Sequence, residues 1–128
     1  MNPLGLVAAV TTFLCIWIGH VTVRKVEAIS PHIWKPVLLF ILFGLAGGIL
    51  ALITVDRQWS TTFGIAGITL LWDAFELTRQ QKRVIRGHAP ANPKNPRHSK
   101  ILAKYSSATT LELLKREPMG ELLHAGPK

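Results

Sequence analysis

The sequence has one cysteine, Cys15, and only 7 acidic residues against 15 lysines and arginines. A single cysteine allows no disulfide within the chain, so cysteine usage does not indicate a redox compartment. The shortage of acid leaves a net charge of +8, although 48% of the residues are hydrophobic. This combination is unusual in a soluble protein and is typical of a membrane protein whose apolar and charged residues occupy separate segments.

Charge is missing altogether from residues 1–23 and 36–55, which contain no Asp, Glu, Lys or Arg. Runs of about 20 apolar residues match a hydrocarbon thickness of about 30 Å. The first run has no basic residue before its apolar core and no small-residue cleavage pattern after it, so we interpret it as a retained helix rather than a secretory signal. A third apolar run extends from Trp59 to Trp72. Core helices of a soluble protein are the alternative, but three such segments in 128 residues would leave almost no water-facing surface.

Common chemical motifs are also missing. No two histidines are spaced i, i+4 and there is no Cys-x-x-Cys, so a metal site is not indicated. Haem held between His20 and a histidine of a partner is only weakly indicated. The glycines at 44, 47 and 48 lie inside an apolar run rather than in a phosphate-binding loop. With no credible Ser/His/Asp set either, we expect no enzyme activity, no cofactor and no metal.

The apolar runs predict an all-α fold with three transmembrane helices in an antiparallel bundle, over about residues 3–23, 36–55 and 59–86. The third helix is expected to extend into the cytoplasm until Gly87, a residue typical of a helix C-terminal cap. This gives a transmembrane domain at 1–87. Residues 88–128 are predicted to be a mostly irregular, basic, proline-rich tail. A capping-box pattern at Thr109–Glu112 indicates a short helix at about 110–117. The tail is either disordered or docked on a partner.

Small residues recur at spacings that let membrane helices approach closely. Gly44 and Gly48 form a GxxxG pair in the second run, a motif that favours contact between helices in an apolar span. The glycines predicted to pack against a neighbouring helix are Gly5, Gly19, Gly44, Gly48, Gly64 and Gly67.

Ionisable residues near the cytoplasmic ends of the first and third helices form the candidate site, because such groups are costly in a bilayer. Spacings of three and four place them on matching faces. If these faces meet, Glu76 can pair with His20 or Arg24, and Glu27 with Arg79 or Arg83. The arrangement is a structural salt-bridge seam, a proton or ion path, or a binding site for a partner's charged loop. The predicted seam comprises His20, Arg24, Glu27, Asp73, Glu76, Arg79 and Arg83.

The distribution of lysine and arginine predicts the topology. Three lie between the first and second helices, one lies between the second and third, and eleven follow the membrane part of the third helix, which is expected to end around Leu77. The positive-inside rule then puts the N-terminus outside and the tail in the cytoplasm. The basic residues after the third span are expected to contact anionic lipid headgroups. No aromatic platform accompanies them, so nucleic acid is not an expected partner. The residues concerned are Arg79, Lys82, Arg83 and Arg86.

Two segments resemble a known family. The first is Gly19-His20 followed by Lys25-x-Glu27. The second combines Gly64-x-x-Gly67, Leu71-Trp72, Glu76-Leu77, Arg83-Val84 and Gly87-x-x-Pro90-x-Asn92-Pro93-Lys94. Together they resemble an uncharacterised family of short bacterial membrane proteins that carry a domain of unknown function and three helices. The resemblance covers about residues 1–97, departs from the family at His88, where an aromatic is usual, and implies a bacterial cytoplasmic membrane but no activity.

The sequence therefore favours a small integral membrane protein that is an accessory, assembly or scaffold subunit of a larger membrane complex, or that associates with copies of itself. The competing hypothesis is a small transporter or ion-conducting homo-oligomer that uses Glu76, Asp73 and His20. The expected partners are other membrane subunits, further copies of the chain, and a bilayer with anionic headgroups.

Overall fold

The computed structural model describes residues 2–112, which form four helices and no strand. The helices are α1 (Leu4–Ile29), α2 (Trp34–Ile53), α3 (Arg57–Ile85) and α4 (Pro96–Lys104). The all-α prediction is confirmed for this part of the chain. The first three helices lie close to their predicted positions, and α1 continues beyond its apolar run to Ile29.

Local residue chemistry sets the ends of these helices. The Asp56 carboxylate accepts hydrogen bonds from the backbone N–H groups of Gln58 (3.0 Å) and Trp59 (2.9 Å), which caps the start of α3. After α3, Gly87 adopts a left-handed conformation with φ +74°. A side chain there would overlap the carbonyl oxygen of Ser107. Glycine is therefore required where the chain turns back towards the helices.

Two helices, α1 and α2, are long and apolar enough to cross a membrane. Only 11% of the most apolar 18-residue stretch of α1 and 6% of that of α2 is buried. A core helix of a soluble protein would be mostly buried, whereas Phe13, Phe43 and Leu52 are exposed here. These helices favour a membrane-associated protein. α3 does not meet the same criterion, since Asp73 and Glu76 interrupt its apolar part.

The central helix is α3, which packs against both α1 and α2. Along the contact with α2, Gly44 and Gly47 lie against Gly67, and Ala51 lies against Gly64. Later residues of α2 thus meet earlier residues of α3. Most buried residues cluster where the C-terminal halves of α1 and α3 meet the segment after α3.

The prediction of a mostly irregular tail is wrong for residues 96–104, which form α4. Asn95 Oδ1 accepts a hydrogen bond from the Arg97 N–H (3.0 Å) and Pro96 occupies the first turn. An asparagine cap followed by proline is typical of a helix start. This signal was not used in the prediction because the prolines were interpreted as marking irregular structure. A small core joins α4 to the end of α3 through Val84, Ala91 and Ile101. Of the helix predicted at 110–117, residues 110–112 are not helical, and 113–117 lie outside the described residues.

Candidate functional site

The end of α1 is covered by side chains that arrive from the segment after α3. A helix leaves its last carbonyl groups without helical partners. Here the Asn92 and Asn95 side-chain amides each donate to the Ala28 carbonyl at 3.0 Å. Asn95 Nδ2 and Arg97 Nε donate to the Ser30 carbonyl, at 3.0 and 3.1 Å. The segment therefore closes α1 at a point some 65 residues away in sequence.

A buried carboxylate lies at the centre of this contact. Glu27 is 1% exposed. Its Oε1 accepts hydrogen bonds from an Arg97 terminal nitrogen at 3.0 Å and from His98 Nε2 at 2.9 Å. Arg97 also donates to the Glu27 backbone carbonyl. A charge removed from water needs such partners, because its desolvation is otherwise uncompensated. We call Glu27, Asn92, Asn95, Arg97 and His98 the polar cap.

The tautomer of His98 follows from its two neighbours. The backbone N–H of Asn92 donates to His98 Nδ1 at 2.8 Å, so this nitrogen carries no proton. The proton of the neutral ring is then on Nε2, which donates to Glu27. His98 is fully buried and both ring nitrogens are occupied. The ring is therefore a fixed hydrogen-bond donor to Glu27, and Arg97 supplies the balancing charge.

The ionisable residues of the predicted seam have partners other than those predicted. Glu76, which is buried, pairs with Arg83 at 2.7 Å and lies 3.8 Å from Arg79. The predicted pairs of Glu76 with His20 or Arg24, and of Glu27 with Arg79 or Arg83, are wrong. Arg24 instead reaches Glu112 at 3.4 Å. Glu76 thus pairs with arginines of its own helix and Glu27 with the polar cap, so within residues 2–112 neither carboxylate joins α1 to α3 by an ion pair.

Asp73 has a different environment from the other acidic residues of the seam. It is 8% exposed and forms no ion pair or hydrogen bond with any residue in the described part of the chain. Its carboxylate lies against the backbone of Gly19, where an added Cβ would come within 2.6 Å of Asp73 Oδ2. Asp73 and His20 line one groove of about 390 Å³ between α1 and α3. The structure thus brings these two predicted residues together at one groove.

The glycines predicted to pack fall into two groups. Gly19, Gly44 and Gly67 lie so close to a neighbouring helix that a Cβ would come within 3.0 Å of another atom, and Gly64 makes an ordinary contact with Ala51. A Cβ on Gly5 or Gly48 would meet nothing within 4 Å among the described residues. Gly47 takes the place expected for Gly48. The GxxxG spacing identified the helix but not which of two adjacent glycines faces α3.

The basic residues at the end of α3 line a groove of about 200 Å³. His88, noted in the sequence only as a departure from the family, completes it because the turn at Gly87 brings it back beside α3. No group of three or more His, Cys, Asp and Glu residues suited to a metal ion occurs within residues 2–112. We call the lining residues the basic groove: Arg79, Lys82, Arg83, Arg86 and His88.

Comparison with known proteins identifies a family. The sequence model of a family described as "Domain of unknown function (DUF4491)" matches residues 2–95. The match spans α1, α2 and α3 and reaches Asn95, which caps α4. It includes Glu27 and both asparagines of the polar cap and ends just before Arg97 and His98. No curated protein and no solved structure matches the chain.

Proposed function

The chain belongs to the DUF4491 family, and we propose that it is a three-span integral membrane protein that acts as an accessory or assembly subunit of a larger membrane complex. In this proposal the polar cap holds the start of the tail against the cytoplasmic ends of α1 and α3. The proposed location is the bacterial cytoplasmic membrane, as the family resemblance implies.

The contacts of α3 support its assignment as the third span. It lies between two apolar, exposed helices, and Gly67 meets α2 at Gly44 and Gly47, which is mid-way along α2. A helix packed at that depth shares the environment of its neighbours. Close backbone approach through small residues is typical of packing in membranes. Later residues of α2 contact earlier residues of α3, which supports antiparallel spans. Asp73 is turned towards α1 rather than outward.

The charge distribution supports an external N-terminus and a cytoplasmic tail, which cysteine labelling tests. In a Cys15→Ser background we expect Gln58→Cys, at the exposed start of α3, to react with a membrane-impermeant maleimide in intact cells. Lys100→Cys, exposed on α4, should react only after permeabilisation. The reverse pattern would contradict the proposed topology. In that topology the external loop between α2 and α3 carries only Arg57, whereas eleven lysines and arginines follow the membrane part of α3.

The observation that carries the accessory role is the uncovered surface of α2. This helix packs against α3 alone within the described residues, apart from minor contacts. Gly48 meets nothing within 4 Å where its Cβ would stand, although small residues at such spacing favour a second helix. We infer that a helix of another subunit lies on this face.

Mass determination of the assembly tests this role. The tagged native protein, extracted in mild detergent, should run with foreign subunits in fixed stoichiometry. Gly48→Leu adds a bulky side chain at a position where a Cβ meets no atom within 4 Å among residues 2–112. It should lower recovery of those subunits about fivefold, from about 1 kcal/mol of lost helix packing. Leu42→Ile, a volume-conserving change at an exposed position of α2, should leave the recovery unchanged.

A protein that runs alone would contradict the accessory role and favour the transporter hypothesis. One observation supports that second function: the buried carboxylate of Asp73 has no ion-pair or hydrogen-bond partner in residues 2–112, and intramembrane acids often mark ion or proton paths. Flux measured in liposomes should then be lost in Asp73→Asn.

A further inference from the structure

Among residues 2–112, the lining of the basic groove includes no acidic residue. The groove is lined by four arginine and lysine side chains and by His88, and its volume is about 200 Å³. Along α3, positions 79, 82, 83 and 86 fall on one face because they are spaced three and four apart. The same face therefore presents several positive side chains to one concavity.

The backbone around the groove is fixed by hydrogen bonds. After the left-handed turn at Gly87, the His88 N–H donates to the Arg83 carbonyl at 2.8 Å. Ser107 Oγ donates to the Ile85 carbonyl at 2.6 Å, which ties the returning chain to the end of α3. The concavity is thus formed by the fold, and the cations are not scattered over a flat surface.

The positive charge of the groove is only partly balanced. Glu76 pairs with Arg83 and lies near Arg79, so one carboxylate opposes four cations. Lys82 and Arg86 form no ion pair with any residue among those the structure covers. These two cations are exposed and free to bind an anion.

The depth of the groove relative to the membrane is inferred from the residues that precede it on α3. Trp72 and Phe75 are exposed on α3 one to two turns earlier, and the Arg79 guanidinium lies 5.8 Å from the Phe75 ring centroid. Exposed aromatics followed by arginine and lysine are typical of a membrane–water interface. In the three-span arrangement, on which this step rests, the groove lies at the headgroups of the cytoplasmic leaflet.

We propose that the basic groove binds the phosphate of an anionic phospholipid. Arginine guanidinium groups bind phosphate oxygens in a bidentate manner, and near-surface cations are attracted to an anionic leaflet. In this proposal Glu76 holds Arg79 and Arg83 beside the groove, while Lys82 and Arg86 meet the headgroup. The lipid is then part of the protein's attachment at the cytoplasmic surface.

Lipid retention after reconstitution tests the site. The protein is inserted into phosphatidylcholine nanodiscs with a minor fraction of phosphatidylglycerol, and native mass spectrometry counts the lipids that stay bound. Lys82→Gln/Arg86→Gln should lower phosphatidylglycerol retention by about 10- to 30-fold, from two near-surface cations. Lys94→Gln/Lys100→Gln removes equal charge from exposed positions outside the groove and should retain lipid like the wild type.

Other outcomes overturn the proposal. Equal loss in both double variants would show general attraction and no site. Release of bound phosphatidylglycerol by millimolar inorganic phosphate or glycerol phosphate, with tighter binding of the free anion, would identify a soluble phosphate ligand instead. If the wild-type protein inserts, as measured by flotation, but retains no phosphatidylglycerol, then lipid binding by the groove is refuted and the membrane function is not. Failure to insert at all would refute the membrane function together with it.

Discussion

Glu27→Ala is expected to release the polar cap from the end of α1. The substitution leaves the Arg97 guanidinium buried without its carboxylate and His98 Nε2 without its acceptor. Removal of one partner from a buried ion pair costs about 3–5 kcal/mol. Hydrogen exchange of the amides in α4 should therefore accelerate by on the order of a hundredfold or more, and trypsin should cleave after Lys100 in the folded protein.

Three further variants distinguish loss of the buried ion pair from a general loss of packing. Arg24→Gln breaks the exposed pair with Glu112 and should cost under about 1 kcal/mol. Glu27→Gln keeps an acceptor for His98 but leaves Arg97 unpaired, and adding Arg97→Gln should recover part of the loss through coupling between the two sites. If the α4 amides of Glu27→Gln exchange at the wild-type rate, then the position of Arg97 against α1 does not depend on the Glu27 carboxylate.

The sequence predicted the helices well because their signals are local. Charge-free runs define α1 and α2, and Gly87 ends α3 where glycine was expected as the cap. Such signals depend on residues within one or two turns, so periodicity and capping rules detect them. Of the polar cap, the sequence singled out only Glu27 as a candidate site residue, since charges near an apolar span are rare.

The partners of those polar residues were not predictable in the same way. Glu27 and Arg97 are 70 residues apart, and no periodic pattern links them. Their pairing depends on the turn at Gly87 and on α4. The start of α4 at Asn95-Pro96 has two local interpretations: an irregular proline-rich segment or a capped helix. The small core around Val84 and Ile101 decides between them, and that is a tertiary effect.

The choice between Gly47 and Gly48 has a similar origin. Both are compatible with a small-residue motif, and a rotation of α2 by one residue exchanges them. Only the packing against α3 places Gly47 next to Gly67 and leaves Gly48 open. A pattern of spacings fixes a helix face to within about 100°, which is too coarse to tell neighbouring residues apart.

Gly67→Ala is expected to separate α2 from α3. The new Cβ would lie 2.8 Å from the Gly44 carbonyl oxygen and 2.9 Å from the Gly48 nitrogen. These are backbone atoms, which cannot rotate away as a side chain can, so the helices must move apart. Overpacking of this kind costs about 1–3 kcal/mol, and Gly67→Leu should cost more. Unfolding in mixed detergent micelles, followed by tryptophan fluorescence, measures the change in free energy.

Gly48→Ala is the matched control because it makes the same chemical change on the facing helix. Its Cβ meets no atom within 4 Å among residues 2–112, so contact with α3 is unaffected. Alanine is better than glycine in a helix interior by about 1 kcal/mol in water, and this variant should be neutral or slightly more stable. The same substitution is thus expected to destabilise the protein at Gly67 and not at Gly48. Equal effects at Gly67 and Gly48 would mean that α2 does not approach α3 through Gly67, and the central position of α3 would lose its support.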